Sequence, residues 1–363
     1  MFKKTSIAAA VVLCVIATAG NSFDSQEAMA SDSPIRFSDT QGHWAEGAIQ
    51  SAVSSGVVDG YPDGTFKPDA DISRAEFIKL VAMATGTKAS AVEGGNWYQS
   101  YVDDLKKRNL LRDDEFTDFN VPMNRLEMAK VALREVRDDV RDPNAIMSDE
   151  AYIFTSVKSG LIQGLAKGEL GINEKTTRAQ SMTVIERMKA LKKGEKLEVD
   201  KQALNTAELS LTGTNMKSVM GAELAIQFPY DASWEEGIKF TLHRLIIIDC
   251  DNPNDPNLGL LQGLRRQDGK PFSNCYVFAY DTSLEVLTKG EGAGRVYDYF
   301  HMNTWINATG ESVLHAFYRT KVGKTNGYLF FVTPDKESTD NNISQNKARF
   351  RMISGSKSIV INK

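Results

Sequence analysis

Residues 57–81 read Val57-Val58-Asp59-Gly60-Tyr61-Pro62-Asp63-Gly64-Thr65-Phe66-Lys67-Pro68-Asp69-Ala70-Asp71-Ile72-Ser73-Arg74-Ala75-Glu76-Phe77-Ile78-Lys79-Leu80-Val81. The stretch is a loop that turns twice and then feeds a helix. Pro62-Asp63-Gly64 fits a tight turn, because proline presets φ and glycine tolerates the backbone that follows. Lys67-Pro68-Asp69 makes a second bend. Ser73 and Glu76 then form a capping box, each side chain satisfying a backbone N–H that the helix start leaves orphaned. Phe77, Ile78 and Val81 give the helix its apolar face.

Arg74 is out of place in this pattern, since the positive end of a helix dipole disfavours a cation by up to ~1 kcal/mol. The arrangement nevertheless occurs three times: Ser73-Arg74-Ala75-Glu76, Asn124-Arg125-Leu126-Glu127 and Thr177-Arg178-Ala179-Gln180. The arginines are 51 residues apart (74 to 125) and 53 apart (125 to 178), which is the signature of a repeat. Before each box lies a leading helix pattern: Ala48, Ile49, Ala52 and Val53 in the first copy, Tyr101, Val102 and Leu105 in the second, Tyr152, Ile153, Phe154 and Val157 in the third. Each unit reads helix, loop, helix, and three together can bury faces that one cannot. Glu76, Glu127 and Gln180 read as capping partners rather than catalytic acids, because Gln180 cannot exchange a proton. Trp44 and Trp97 sit on the leading helices and are expected in the core.

His43-Trp44-Ala45, Gly60-Tyr61-Pro62-Asp63-Gly64-Thr65-Phe66 and Ser73-Arg74-Ala75-Glu76, with the weaker second and third copies, resemble the S-layer homology (SLH) domain over roughly residues 36–191. The resemblance implies a pseudo-threefold helical bundle with grooves between neighbouring copies. It also implies a ligand, the pyruvylated sugar of a secondary cell-wall polysaccharide, whose ketal carboxylate is bound in a groove. On that basis Arg74 is expected to pair with the carboxylate, with Gly60 and Gly64 offering close backbone approach and Tyr61 a sugar contact beside Asp63. Arg178 and Gly164 are the third copy's counterparts, and Arg125 the second's. The helix N-terminus adds inward-facing N–H groups for the anion, and a guanidinium adds a planar fork. The alternative for each arginine is a salt bridge to a nearby acid such as Asp63 or Asp71. The second copy has Leu111-Arg112-Asp113-Asp114-Glu115-Phe116 in place of the glycine turn, and its carboxylates repel an anion. The expected ranking therefore puts Arg74 first, Arg178 next and Arg125 last.

The remainder sets the organisation. Lys3 and Lys4, the apolar run 7–19 and Ala28-Met29-Ala30 read as an export signal over residues 1–30, cleaved before Ser31. No membrane association is expected after cleavage. The formal net charge of −4 gives no basic excess for nucleic acid. The copies are bounded as 31–85, 86–140 and 141–194, followed by a charged linker at 195–205, where the helical pattern stops. From 206 to 363, short β-branched and aromatic runs at 223–228, 238–249, 276–280, 313–318, 327–332, 348–353 and 358–361 suggest a mainly-β, sandwich-like domain. The whole is thus a multidomain α plus β chain.

Cys250 and Cys275 remain after cleavage, and an exported chain with two cysteines forms at most one internal disulfide; sequence leaves the pairing open. No cofactor is expected. Calcium would have to use the oxygen-rich Asp249–Asp255 loop, whose spacing departs from the EF-hand, or Asp63, Asp69 and Asp71, which read as turn formers. His243, His301 and His315 lack metalloprotease spacing, and no nucleophile elbow is present. The sequence therefore points to a secreted, wall-associated, non-enzymatic protein that binds anionic polysaccharide and displays a β-rich region, with self-association in a surface layer. Two alternatives are an SLH-anchored enzyme acting on glycan and an adaptor whose β-domain binds carbohydrate or protein.

Overall fold

A computed structural model describes residues 36–87, 95–302, 305–345, 350–354 and 356–362; the expected export signal lies outside them. The chain is helical first and β-rich second. The first copy supplies α1 (Glu46–Ser54) and α2 (Arg74–Ala84), and the second α3 (Gln99–Lys107) and α4 (Arg125–Val136), trailed by the short α5 (Asp138–Arg141). The third supplies α6 (Asp149–Lys158) and α7 (Arg178–Lys192). All three capping boxes form, with Ser73, Asn124 and Thr177 each accepting the N–H three residues on. The apolar stripes of the six long helices merge into one core, in which Ile49, Ile78, Leu105, Met128, Val157 and Ile185 are wholly or almost wholly buried.

The copies are joined by backbone hydrogen bonds that close a ring. Ile72 N–H donates to Thr176 O at 2.9 Å, Thr176 N–H to Met123 O at 2.8 Å, and Met123 N–H back to Ile72 O at 2.9 Å. Around this ring, the first two N–H groups of each second helix donate to the loop of the following copy. Arg74 and Ala75 donate to Val121 and Phe119, Arg125 and Leu126 to Glu174 and Ile172, and Arg178 and Ala179 to Ala70 and Pro68. The helix starts are thereby saturated, since the third N–H belongs to the cap. The backbone N–H groups expected to meet an anion are already spent.

The helical run does not stop at the charged break. Asp200 accepts the N–H groups of Gln202 and Ala203 and starts α8 (Lys201–Thr212), which ends on the left-handed Gly213 and is followed by α9 (Met216–Met220). Ala203 and Ala207 of α8 pack into the helical core. Glycines of the third copy make the seat: a Cβ on Gly164 would lie 2.9 Å from Ala203 Cβ, and one on Gly168 2.7 Å from Gln202. That loop lost its Tyr-Pro-Asp-Gly-Thr-Phe chemistry where it took on α8.

The β region follows with β1 (Tyr230–Asp231), β2 (Ile238–Asp249), β3 (Arg265–Arg266), β4 (Tyr276–Val286) and β5 (Ala293–Arg295). The short α10 (Val296–Tyr299) leads to β6 (Phe300–Met302), β7 (Ile306–Thr309), β8 (Ala316–Tyr318) and β9 (Gly323–Val332). Last come α11 (Lys336–Ser344), β10 (Arg351–Ser354) and β11 (Lys357–Val360). An antiparallel six-stranded sheet has the order β1-β2-β4-β9-β7-β3, beside a three-stranded sheet β11-β10-β6 and the pair β5-β8. Strand alternation sends Phe240, Phe278 and Tyr280 to one face, against Phe300 and Phe350. Ile246, Ile248 and Val277 face the other way, under Leu258, Leu264 and Phe272 of the 250–275 loop. Residues 223–228, expected as a strand, make only a single bridge, Leu224 to Asn362. The strand expected at 313–318 begins only at Ala316.

Cys250 and Cys275 flank that covering loop as free thiols with sulfurs 3.3 Å apart, and Cys250 N–H donates to Cys275 O. Protein recovered from an oxidising compartment is expected to give a linked Cys250–Cys275 peptide on unreduced mapping, and reduction to lower stability by about 3 kcal/mol. Two separately alkylated peptides would refute the link. Gly60 also tests a structural assignment, because a Cβ there would lie 1.9 Å from the Phe37 ring. Gly60→Ala is expected to cost roughly 1–3 kcal/mol by overpacking, with Phe37→Ala partly restoring the double variant in chemical denaturation.

Candidate functional site: the clefts between repeats

The ring places each second-helix arginine against the next copy's loop rather than its own. Arg74 donates from Nε and Nη2 to both oxygens of Glu127, at 3.1 and 2.5 Å, and from Nη1 to Asp118 O. Its guanidinium lies over Phe116. All of these partners belong to the second copy, so the structure does not pair Arg74 with Gly60, Gly64 or Tyr61. The arginine at Tyr61 is Arg178, whose guanidinium lies 5.0 Å from that ring and 4.7 Å from Phe66 and whose Nε donates to Phe66 O. Glu76 stands 3.8 Å from Arg178.

Arg125, ranked last from sequence, has the most available charge. It is only 5% exposed, and its Nε and Nη2 donate to Leu170 O and Gln163 O. Among the described residues no carboxylate lies within salt-bridge distance of it, and burial pushes its pKa down against the more distant Glu174. The physical reason is the capping box of the neighbour it meets. Arg74 faces Glu127 and Arg178 faces Glu76, whereas the third copy caps its helix with a neutral Gln180, which lines the same cleft as Arg125. The acids Asp113 and Asp114, expected to repel an anion from the second copy's own arginine, lie on a loop that faces Arg74 instead.

The clefts themselves combine all three copies. One, of about 330 Å³, is lined by Arg125 of the second copy, Gly164, Leu165, Gln180 and Arg187 of the third, and Trp44 of the first. Another, of about 200 Å³, joins Arg178 of the third copy, Asp59 and Glu76 of the first, and Trp97 of the second. Trp44 and Trp97 are 65% and 54% exposed, which corrects the expectation that they are core residues. They precede the leading helices, and the buried positions go instead to Ile49, Ala52, Val102 and Leu105. An aromatic face beside a guanidinium suits a sugar with an acidic substituent. The surroundings of Arg74 differ twice over: its cation is consumed by Glu127, and the third copy has Ser148, a helix cap, where a Trp would stand.

The other predicted residues have structural duties. Gly60 makes room for Phe37, and Gly64 takes a left-handed φ of +80° in its turn. Asp63 accepts from Thr65 N–H and Oγ within that turn. Gly164 N–H is spent on Asp200 Oδ2 at 3.1 Å, which removes it as a ligand donor. Sequence reading missed Asp39, which pins the first loop by accepting from the N–H groups of Phe66 and Lys67. Burial pushes its carboxyl up, but those N–H groups outweigh it and hold the pKa below the ordinary value. Arg187 was missed as well, since it lies outside the repeated motif.

In the β region, Asp249 is held by Lys336, and Asp255 accepts the N–H groups of Asp249 and Asn257. Among the described residues no group of three or more His, Cys, Asp or Glu is placed to hold a metal ion. His243 bonds Ser283, His315 bonds Gly310 O, and His301 lies on a strand of the smaller sheet. A larger cleft, about 620 Å³, separates α8 from the 249–256 loop and is lined by both signs of charge, Lys158 and Lys201 with Glu198, Asp249 and Asp255.

Comparison with known proteins bears on the helical half. Residues 36–78 match the model of the S-layer homology domain. A cell surface glycoprotein 1 of Acetivibrio thermocellus is 46% identical over 78 residues, 21% of this chain and 3% of that protein. A cellulosome-anchoring protein of the same organism is 44% identical over 50 residues, 14% of this chain and 11% of that protein. S-layer protein EA1 of Bacillus anthracis is 30% identical over 135 residues, 35% of this chain and 14% of that protein. The chain thus spans no more than about a seventh of any of these three relatives. Within it, residues 36–78 carry the match to the S-layer homology domain.

Proposed function

We propose that this chain is an exported protein that holds non-covalently to the bacterial cell wall through an anionic, pyruvylated polysaccharide. The β-rich region is displayed outward as an envelope or surface-layer component. On this reading residues 1–30 are a cleaved signal and 31–85, 86–140 and 141–194 are repeats packed as a pseudo-threefold bundle. Residues 195–200 lead into α8, whose Ala203 and Ala207 pack on the helical half, and a sandwich-like domain follows that helix. The cyclic hydrogen bonding of the three helix starts supports the pseudo-threefold bundle, and the two packed sheets support the sandwich. The names of the relatives, a cell surface glycoprotein, an anchoring protein and an S-layer protein, support the wall location.

The observation that carries the binding role is Arg125: a buried guanidinium with no carboxylate partner among the described residues, in a cleft with an exposed tryptophan. A buried cation left unpaired is costly, and an incoming ketal carboxylate removes that cost. At Arg74 the same carboxylate must first displace Glu127. The Arg178 cleft is intermediate, since Glu76 stands at the edge of salt-bridge range.

Sedimentation of the full chain with purified walls tests this order. Arg125→Gln is expected to weaken retention by more than about tenfold, Arg178→Gln by less and Arg74→Gln least. Trp44→Ala, at an exposed position, separates lost binding from lost folding. Mild-acid removal of pyruvate ketals from the wall is expected to abolish retention of the unaltered chain. A loss at Arg74 equal to that at Arg125, or indifference to ketal removal, would overturn the reading. The sharpest variant is Gln180→Glu. It keeps the capping box, so thermal stability is expected to hold, but it supplies Arg125 with an internal carboxylate and is expected to eliminate wall binding.

A further inference from the structure

The Arg125 cleft contains a second cation that the repeat does not explain. Arg187 lies on α7, nine residues beyond Arg178, and lines the same cleft. The positions nine residues beyond the other two arginines are Met83 and Arg134. Arg134 is a structural residue: it is 4% exposed and donates to Glu115, Leu110 O and Tyr152. Arg187 is half-buried, and among the described residues it makes no hydrogen bond or ion pair. The carboxylate nearest to it in effect, Asp200, is committed to the N–H groups of Gly164, Gln202 and Ala203. Two guanidinium groups therefore face one cleft of about 330 Å³ with no acid among its lining residues. Burial pushes both guanidinium pKa values down, against Glu174 for Arg125 and Asp200 for Arg187, neither of which lines the cleft, so the cleft favours occupation by negative charge.

We propose that Arg187 is a specificity-determining residue that makes this cleft select a doubly anionic saccharide unit, with two acidic groups on one sugar or on adjacent sugars, over a singly charged one. The inference rests on the anion-binding reading of Arg125. In this arrangement Arg125 holds one acidic group deep in the cleft, where two of its donors are already fixed by Leu170 O and Gln163 O. Arg187, with its whole fork free, takes the second. Trp44 covers an apolar sugar face between them. A glycan with a single charge leaves Arg187 uncompensated and gains less.

Calorimetric titration of the full chain with three probes decides it: an uncharged methyl hexoside, the same hexoside with one pyruvate ketal, and a disaccharide with a ketal on each sugar. The unaltered chain is expected to bind the doubly charged disaccharide about tenfold or more tightly than the singly charged hexoside, and the uncharged sugar not measurably. Arg187→Gln is expected to remove that preference, weakening the doubly charged disaccharide by about tenfold and the single-ketal hexoside by clearly less. It is also expected to leave the melting temperature unchanged or raised, where loss of a structural residue would lower it. If Arg187→Gln weakens both charged probes equally or neither, while Arg125→Gln abolishes binding, the two-charge inference fails and the anchoring reading stands. If Arg125→Gln changes nothing for either charged probe, the anchoring reading itself fails.

Discussion

Three backbone hydrogen bonds, Ile72 to Thr176, Thr176 to Met123 and Met123 to Ile72, constrain everything else in the helical half. Helix starts leave N–H groups that must find acceptors, and here the acceptors are carbonyls of another copy. That single choice makes the arrangement cyclic. No copy is complete alone: its second helix is capped by the next loop and its own loop caps the previous helix. The clefts inherit the rule, each drawing its cation, its loop and its aromatic from three different parts of the sequence.

Cyclic packing also turns a capping residue into an electrostatic setting. The carboxylate that closes one copy's capping box lies beside the preceding copy's arginine, so Glu127 neutralises Arg74 and Glu76 partly screens Arg178. Breaking a well-shielded pair of this kind costs roughly 3–5 kcal/mol, enough to decide between clefts whose other contacts are similar. The one copy that uses glutamine leaves its neighbour's arginine unopposed. Glutamine preserves the cap, because its side-chain oxygen still accepts the Thr177 N–H. Helix stability and cleft charge are thus set separately by one side chain.

The sequence was readable wherever the physics is local. Capping boxes, turn glycines, apolar helix stripes and the long alternating strand at 238–249 all appear where their residues place them. It misled wherever partners come from another copy. Arg74 looked like the best ligand residue because Gly60 and Tyr61 lie just before it, yet ring closure carries Tyr61 to Arg178 instead. Gln180 was visible as an anomaly, but its meaning depends on knowing that it faces Arg125. The helix at 201–212 carried a legible cap pair, Asp200 and Gly213, which the charged run before it obscured. Gly164 kept its spacing for a purpose the motif does not encode, the seating of that helix.

That seat has a mechanical side. The path from the β region to the helical half runs down α8, whose first turn is fastened to the third loop by Asp200 on Gly164 N–H and by close contact with Gly164 and Gly168. The same loop forms one wall of the Arg125 cleft. Shear or drag on the β region is therefore delivered to the loop that walls the Arg125 cleft. The stalk and the cleft share a bearing, and tension along α8 is borne at that wall.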